Sequence, residues 1–490
     1  MADDPGGDLV LALDQGTSAT KAVLVDAEGR IVGSASVAVG IDYPRPGWVE
    51  QDPVEVVDSV LAAAAGCLTG VDARRVVAVG LSTQRESALV WDRVTGRPVG
   101  PLLGWQDRRS APVGAALRTA GHGPEIWSLS GLPVDPMFSA SKLRWLLDRA
   151  AAGGLAPGRL AFGTVDSWLL HRLTGEHRIE IGNASRTQLL DVRTGAWSPR
   201  LLELFDIPAE VLPRVAPSAT EPVEVTVAGP LHGLPVTAVL GDSHAALFAH
   251  GDRATAGGVK VTYGTGSSVM RLVATTAAVD PSICTTIGWG DPEPRIAAEG
   301  NIRSSGATVA WVARLFGTTP EVVAQRASTA DNGGVHLVPA FTGLGAPWWD
   351  DEAVGLAAGL TLGTGPDQLA RAAVESIAHQ VADVVAAMAG DGRAVTAVLA
   401  DGGASRNDVV MQAQADLTGV PVLRAAAADL SALGAARLAA IAAKAWAPDR
   451  QLPLHHDEFV PRAEATEVAA QRDAWRAAVA RARSAPRTGP

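Results

Sequence analysis

LVLALDQGTSATKAVLVD, residues 9–26, is the stretch on which the fold turns. Leu9 to Asp14 is a short apolar run rich in strand formers, Gln15-Gly16-Thr17-Ser18 is turn-prone, and Lys21 to Asp26 is strand-like again. The stretch predicts a β-hairpin. GGVKVTYGTGSSVMRLV, Gly257 to Val273, repeats the pattern of strand, Gly-Thr turn and strand near the middle of the chain. Two such hairpins, each opening a half of the sequence, predict a duplicated architecture with a cleft between the halves. The boundary is placed near Ala249 to Asp252, giving domains 1–250 and 251–490.

Working outward, Glu28-Gly29 turns the chain into RIVGSASVAV, a third strand of the first sheet. After Asp52-Pro53 the run VEVVDSVLAAAAGCL has helical spacing, with Asp as N-cap and Pro at the first helical position. The strand RVVAVGLS follows, and such alternation marks an α/β domain. PVTAVLGDSHAALFAHG reads as a strand, a polar turn and a short Ala-rich helix. PDQLARAAVESIAHQVADVVAAM is the strongest helix, capped by Pro366 and Asp367. VTAVLADGGASRN reads as strand, Gly-rich turn and helix start. From about Pro461 an Ala/Arg helix runs into a Pro-containing tail that is expected to fray.

With 490 residues, 47% hydrophobic and 19% charged, the chain can bury a sizeable core and is no disulfide mini-protein. The net charge of −11 argues against a nucleic-acid or anionic-membrane surface, both of which need clustered positive charge. Only Cys67 and Cys284 are present, far apart and in no metal-ligand spacing, which fits a reducing cytosol. The start MADDPGGD carries acid where a signal peptide carries base, and no run reaches the roughly 18 apolar residues of a membrane span. A soluble cytoplasmic protein is expected, for which the sequon-like Asn183-Ala-Ser185 carries no meaning.

A phosphate site needs backbone N–H groups free to face the anion, hence Gly and small hydroxyl residues at tight turns. Gln15-Gly16-Thr17-Ser18, Gly264-Thr265-Gly266-Ser267 and Gly402-Gly403-Ala404-Ser405 qualify. No GxxxxGK[ST] string exists and no turn completes GxGxxG, so neither a P-loop nor a Rossmann site is supported. Taken singly each turn is more often plain turn chemistry; the three together shift that balance. Asp14, closing the strand that feeds the first turn, suits a holder of hydrated Mg²⁺.

The strings DQGTSATKAVLVD, GWVEQDP, STQRESALVWDRVTGRP, WQDRRS, FGTVDSWLL, GNASRTQLLDV, YGTGSS, VPAFTGLGAPWWD, DGGASRN and LGAA resemble, in order and spacing, the FGGY family of carbohydrate kinases, its glycerol kinases most of all. The resemblance runs from about Leu9 to Ala447. It implies an α/β fold of two actin-like (ribonuclease H-like) lobes with ATP and Mg²⁺ in the cleft and γ-phosphoryl transfer to a polyol or sugar hydroxyl. It also implies a homo-oligomer, dimer or tetramer. Asp242 in GDSHAAL matches the family's general base and, with Asp14, the metal site. A strand-end carboxylate is where a base belongs, and phosphoryl transfer needs positioning and charge neutralisation above all; the alternative for Asp242 is a helix N-cap. Arg85 and Glu86 match the pair that grips substrate hydroxyls, and Trp105 matches an aromatic wall; their plainer alternatives are a surface ion pair and a core Trp. For the nucleotide, Thr17, Ser18, Lys21, Gly264, Thr265, Gly306, Gly403 and Asn407 match family contacts.

The chain departs from the glycerol kinases at several of these positions. Lys21 stands where they show Arg, which loses the bidentate fork, and Ala310 where many show Gln. In the substrate pocket Met137 replaces a Tyr, Ser243 a Gln, and Ser268 an aromatic. These changes shorten or remove groups that would close on a three-carbon triol, so a four- or five-carbon polyol or ketose is the alternative acceptor. His455-His456-Asp457-Glu458 reads as a solvated loop rather than a metal cluster, and no GxSxG elbow supports acyl transfer. The expected protein is a Mg²⁺-requiring ATP-dependent kinase of a small polyol or sugar. The rival from another class is an actin-like ATPase or sugar-sensing binding protein that has lost transfer.

Overall fold

The structure is a computed structural model and describes residues 7–291, 293–389 and 392–483. The chain divides into two compact units. The first comprises residues 1–251, 285–297 and 429–453, and the second comprises residues 252–284, 298–428 and 454–490. The first break falls at Gly251, but two later segments return to the first unit.

The first unit is built on a six-stranded sheet. Its strands are β1 (Leu9–Gln15), β2 (Ala19–Val25), β3 (Ile31–Ala38), β4 (Val76–Thr83), β5 (Ala219–Glu224) and β6 (Pro235–Gly241), in the spatial order β5-β6-β4-β1-β2-β3. The predicted hairpin is present: β1 pairs antiparallel with β2, placing Asp14 opposite Lys21, and β2 continues antiparallel to β3. β1, β4 and β6 are parallel, with Asp14 beside Ser82 and Gly241 beside Thr83. Three strand ends therefore reach one edge together, the position at which α/β sheets bind ligands.

Helix α1 (Pro53–Cys67) starts as its sequence dictates, the Asp52 carboxylate accepting the Val54 N–H at 2.8 Å and Pro53 taking the first position. Val56, Val57, Val60, Ala63 and Ala64 face the core. On the same sheet lies a helix from late in the chain, Leu430–Ala442. A Cβ at Gly80 would stand 2.4 Å from the Ala435 carbonyl oxygen, and one at Gly434 would stand 1.8 Å from that of Ala245. Backbone-to-backbone approach of this kind admits only glycine.

The second unit repeats the local plan. β7 (Val259–Tyr263) and β8 (Ser267–Leu272) form the second hairpin. On its other side β7 runs parallel to β9 (Val398–Asp401), with Thr262 opposite Asp401, and β9 runs parallel to β10 (Val422–Ala425). β11 (His456–Phe459) pairs antiparallel with β10. The His455-His456-Asp457-Glu458 stretch is thus largely a strand and not a loop. Its polar side chains conceal it, because an edge strand needs no apolar alternation when Arg424 ties it down through Asp457 at 2.8 Å. Among the described residues no group of three or more His, Cys, Asp or Glu could hold a metal ion.

The long helix is Pro366–Met388, buried through most of its length. Its cap differs from the expected one: Gly365 is the N-cap and donates its N–H to Gln368 Oε1 at 3.0 Å, while Asp367 pairs with Arg326 at 2.6 Å. The C-terminal helix spans Ala465–Ala482, and the tail expected to fray lies outside the described residues. No helix among the described residues is long and apolar enough to cross a membrane.

Candidate active site

At the carboxyl edge of the first sheet, β1 delivers Asp14 and the turn that follows it. Ser82 Oγ donates to Asp14 Oδ1 at 2.6 Å. Burial pushes the Asp14 carboxyl up to about 7 against the Ser82 bond; the Asp242 charge adds to the rise, Lys21 opposes it, and Asp429 adds again. A buried carboxyl with further acidic groups close by is a place where a cation is welcome. With two carboxylates and no all-protein cage, Asp14 and Asp242 fit the mode in which Mg²⁺ keeps several waters and takes its remaining ligands from phosphates. Lys21 Nζ donates to Asp429 Oδ1 at 2.7 Å, so the residue expected at the phosphates carries an ion pair within the first unit. Thr17 accepts the Trp105 indole N–H on its Oγ1 at 3.1 Å and gives its carbonyl to Gln51 Nε2 at 2.9 Å. Ser18 is exposed on the turn.

From the end of β4 the chain enters Gln84-Arg85-Glu86. The Gln84 N–H donates to the Gln15 carbonyl at 2.8 Å and its side-chain amide to Gln51 Oε1 at 2.9 Å, locking the segment to the hairpin. Glu86 has φ 61°, and the Ser87 N–H reaches back to the Arg85 carbonyl at 2.7 Å. This is a γ-turn, rare for a residue with a side chain, and of the kind that surrounding structure must enforce. Ser139 Oγ supplies part of that enforcement by donating to the Glu86 carbonyl at 3.0 Å.

The turn separates two opposite charges. Arg85 Nε donates to Asp242 Oδ1 at 3.2 Å, and its Nη1 lies 3.3 Å from His244 Nε2. The Glu86 carboxylate accepts from Arg186 Nε at 2.6 Å on Oε1, with Arg85 Nε at 4.0 Å from the same oxygen. Asp242 is the first residue of helix Asp242–Ala249, whose N-cap is Gly241; its Oδ1 also accepts the Ser243 N–H at 2.6 Å. The carboxylate thus helps the helix start while remaining 38% exposed at the sheet edge.

Met137 follows Asp135, whose Oδ1 accepts its N–H at 2.8 Å. The buried amine of Lys142 reaches the carbonyls of Met137, Phe138 and Glu86, joining the Met137 turn to the Arg85-Glu86 segment. Burial pulls the Lys142 amine down to about 8, with Glu86, Asp107 and Asp135 opposing. Asp14, Arg85, Glu86, Trp105, Met137, Asp242 and Ser243 therefore all belong to the first unit, tied to one another by these bonds. Sequence reasoning gave no role to Arg186, His244 or Lys142. The string GNASRTQLLDV contains Arg186, but nothing local marks it, because its partner lies a hundred residues away.

The second unit gathers the other expected nucleotide residues. The Gly306 N–H donates to the Gly264 carbonyl at 3.0 Å, and Ser305 and Ala307 N–H groups donate to the Thr265 carbonyl at 2.9 and 3.1 Å. A Cβ at Gly306 would lie 2.8 Å from the Gly264 oxygen, so this helix start docks on the turn as glycine only. Gly402 (φ 91°) sits with its Cβ position 2.6 Å from the Tyr263 oxygen, bringing the two Gly-rich turns side by side. Gly403 faces open space. Asn407 caps helix Asp408–Thr418 by accepting the Val409 N–H at 2.9 Å. Ala310 lies on helix Gly306–Leu315. Ser268 is also in this unit, donating to Glu299 Oε1 at 3.2 Å, and so does not share a unit with Met137 and Ser243.

Comparison with known proteins gives a consistent result. Family models described as the FGGY family of carbohydrate kinases match in two parts, the N-terminal domain over residues 9–249 and the C-terminal domain over 259–443. The chain is 44% identical over 495 residues to a glycerol kinase of Aromatoleum aromaticum, covering 97% of this chain and 98% of that one. It is 42% identical over 492 residues to an apulose kinase of Pectobacterium atrosepticum, covering 98% and 99%. Its fold is similar to that of Plasmodium falciparum glycerol kinase with ADP, at a TM-score of 0.85 and 24% identity, covering 98% and 99% of the two chains.

Proposed function

The chain belongs to the FGGY family of carbohydrate kinases, and within that family's ATP- and Mg²⁺-dependent phosphorylation of a polyol or sugar hydroxyl we propose the following division of labour. Asp242 is the general base. Its two hydrogen bonds fall on Oδ1, leaving Oδ2 to take the proton of the attacking hydroxyl. Arg85 donates to, and Glu86 accepts from, the neighbouring hydroxyls of the acceptor, with the Trp105 ring against its carbon face. Thr17, Ser18, Lys21, Gly264, Thr265, Gly306, Gly403 and Asn407 serve the nucleotide. Asp14 and Asp242 serve the hydrated Mg²⁺, which supplies charge neutralisation on the transferring phosphoryl group.

The observation that carries this reading is the Arg85–Asp242 bond of 3.2 Å beside the Glu86 γ-turn. It holds a guanidinium and two carboxylates together on one edge of one sheet, which supports their reading as hydroxyl donor, hydroxyl acceptor and base. The alternative, an ATPase or sensor without transfer, has no use for a base beside the pair that grips hydroxyls.

For the acceptor we infer a four- or five-carbon polyol or ketose in preference to glycerol. Relatives named for glycerol and for apulose stand at 44% and 42% identity, so overall likeness does not separate acceptors. The pocket residues favour the longer molecule. Met137 offers no hydroxyl, and Ser243 offers a short hydroxyl in place of a longer amide, to the far end of a triol; a missing contact of this size costs about 1–3 kcal/mol in discrimination. Competition assays with glycerol, erythritol, threitol, xylitol, ribulose and xylulose test the inference. A four- or five-carbon acceptor with the highest kcat/KM is expected; glycerol ahead of all of them by tenfold refutes it. The expected dimer or tetramer is a separate proposal, tested by sedimentation.

A further inference from the structure

Arg186 is among the largest fully buried side chains of the protein, with 0% exposure. A guanidinium in such a place must be paired, since an uncompensated buried charge is among the most costly features a fold can carry. Its Nε donates to Glu86 Oε1 at 2.6 Å, and its guanidinium carbon lies 5.1 Å from the centre of the Phe138 ring, the residue after Met137. Arg186 therefore stands behind both the acidic grip and the Met137 turn.

The element that carries Arg186 is built to keep it still. Arg186 is the C-cap of the short helix Ile181–Ser185. The start of that helix is held by Glu180, whose carboxylate accepts the N–H groups of Gly182 and Asn183 at 2.7 Å each, with Ser218 Oγ donating to it at 2.5 Å. Ser185 Oγ lies 2.7 Å from Thr286 Oγ1. Gly182 fits against His244 and the Ile287 carbonyl, where a Cβ would be 2.9 Å from each. The carbonyl of the next residue, Thr187, accepts the Ala140 N–H at 2.9 Å, joining the same segment to helix Ser139–Ala152, which follows Met137.

We propose that Arg186 is the positioning residue of the acceptor site. It fixes the Glu86 carboxylate by occupying Oε1, so that Oε2 is presented to the acceptor hydroxyl from a backbone that would not hold this conformation unaided. Arg186 itself touches no substrate, and the inference rests on the proposed role of Glu86. Arg is required and Lys is an imperfect substitute, because the planar fork lets Nε bond to the carboxylate while the guanidinium face lies on Phe138.

Four variants test it, assayed with ribulose or glycerol, whichever turns over faster: E86Q, R186K, R186M and the double variant E86Q/R186M. Losing a charged hydrogen-bond partner corresponds to about 10- to 100-fold. R186M is expected to raise the acceptor KM by that factor with the ATP KM within twofold, R186K to fall between, and the double variant to cost no more than E86Q alone. Where R186M does not fold, R186K and the double variant, which buries neither charge, decide the question. A raised acceptor KM in E86Q with R186K and R186M silent overturns the positioning role alone, as do additive effects in the double variant or acceptor and ATP KM rising together. An unchanged acceptor KM in E86Q overturns the role of Glu86 and takes this inference with it.

Discussion

Gly241→Ala is a single added methyl group whose effect the structure lets one work out. Gly241 closes strand β6 with φ −70° and ψ 148°, extended backbone that alanine adopts freely. The difficulty is Arg85: a Cβ on residue 241 would lie 2.5 Å from its Cδ and 2.7 Å from its Cγ. Carbon atoms in contact rest about 3.5–4.0 Å apart, so the arginine stem must retreat by about 1 Å. Arg85 is only 5% exposed, and its bonds to Asp242 and His244, at 3.2 and 3.3 Å, are already at the long end of hydrogen-bond range. A further 1 Å breaks both. Misplacement on that scale costs about 10²-fold in a reaction that depends on orientation. Steady-state kinetics with the best acceptor should show kcat/KM for the acceptor down by about that factor, ATP KM changed less than threefold, and the folded state retained in thermal melts. An alanine variant within threefold of the parent in acceptor kcat/KM would mean that Arg85 does not grip the substrate from where it stands.

Asp242→Asn keeps the size of the base and removes its basicity; kcat should drop by about 10²- to 10⁴-fold while ADP still binds in calorimetry, and near-normal turnover would take Asp242 out of the mechanism. The two glycines of the second unit's turn should separate cleanly. Gly403→Ala enters open space and should leave thermal stability unchanged while raising the ATP KM. Gly402→Ala is forced into φ 91° against the Tyr263 carbonyl and should lower the melting temperature; equal melting temperatures for the two refute the geometry.

Glu180 gives a pH signature. Burial pushes its carboxyl up to about 8, over the opposing bonds from Ser218, Gly182 and Asn183, and the Asp166 charge adds to the rise. The folded protein therefore holds this proton to a higher pH than the unfolded chain, and the stability present below about 4.5 is lost as pH rises through about 8. Asp166, raised by burial to about 6, acts with the same sign. Thermal melts should show stability falling between pH 5 and 8, and Glu180→Gln should flatten that slope; parallel profiles for parent and variant count against it.

What could be read in the sequence was what local chemistry dictates. The hairpins and the Asp52-Pro53 helix start are set by residues that are neighbours in the chain, and the alternation of strand and helix follows from periodicity. The three Gly-rich turns could be found because phosphate chemistry and turn chemistry ask for the same residues. What could not be read depends on partners far away. The return of residues 429–453 to the first unit rests on Gly80 and Gly434, two small residues whose meaning appears only when their backbones meet others. The strand at His456–Phe459 hides behind polar side chains. Arg186 is one arginine within GNASRTQLLDV until Glu86, its counter-charge, is placed beside it. The Met137 and Ser243 positions were visible as departures, and their neighbours Lys142 and Phe138 were not.

The late helix Leu430–Ala442 has a consequence for how the protein is made. At about 5–20 residues per second, a ribosome that has finished Gly251 needs about 10 to 40 s more to finish Ala442. Throughout that interval the first sheet is translated but lacks one of its covering layers, and the surface around Gly80 and Thr237 stays bare. A nascent chain stalled before Asp429, or a fragment ending at Gly251, carries Arg85, Glu86, Trp105 and Asp242 and cannot bury the sheet behind them. Manufacture of this enzyme is thus a race between translation of residues 252–442 and aggregation of its first half, and codon choice downstream of residue 252 should alter soluble yield without altering a single side chain.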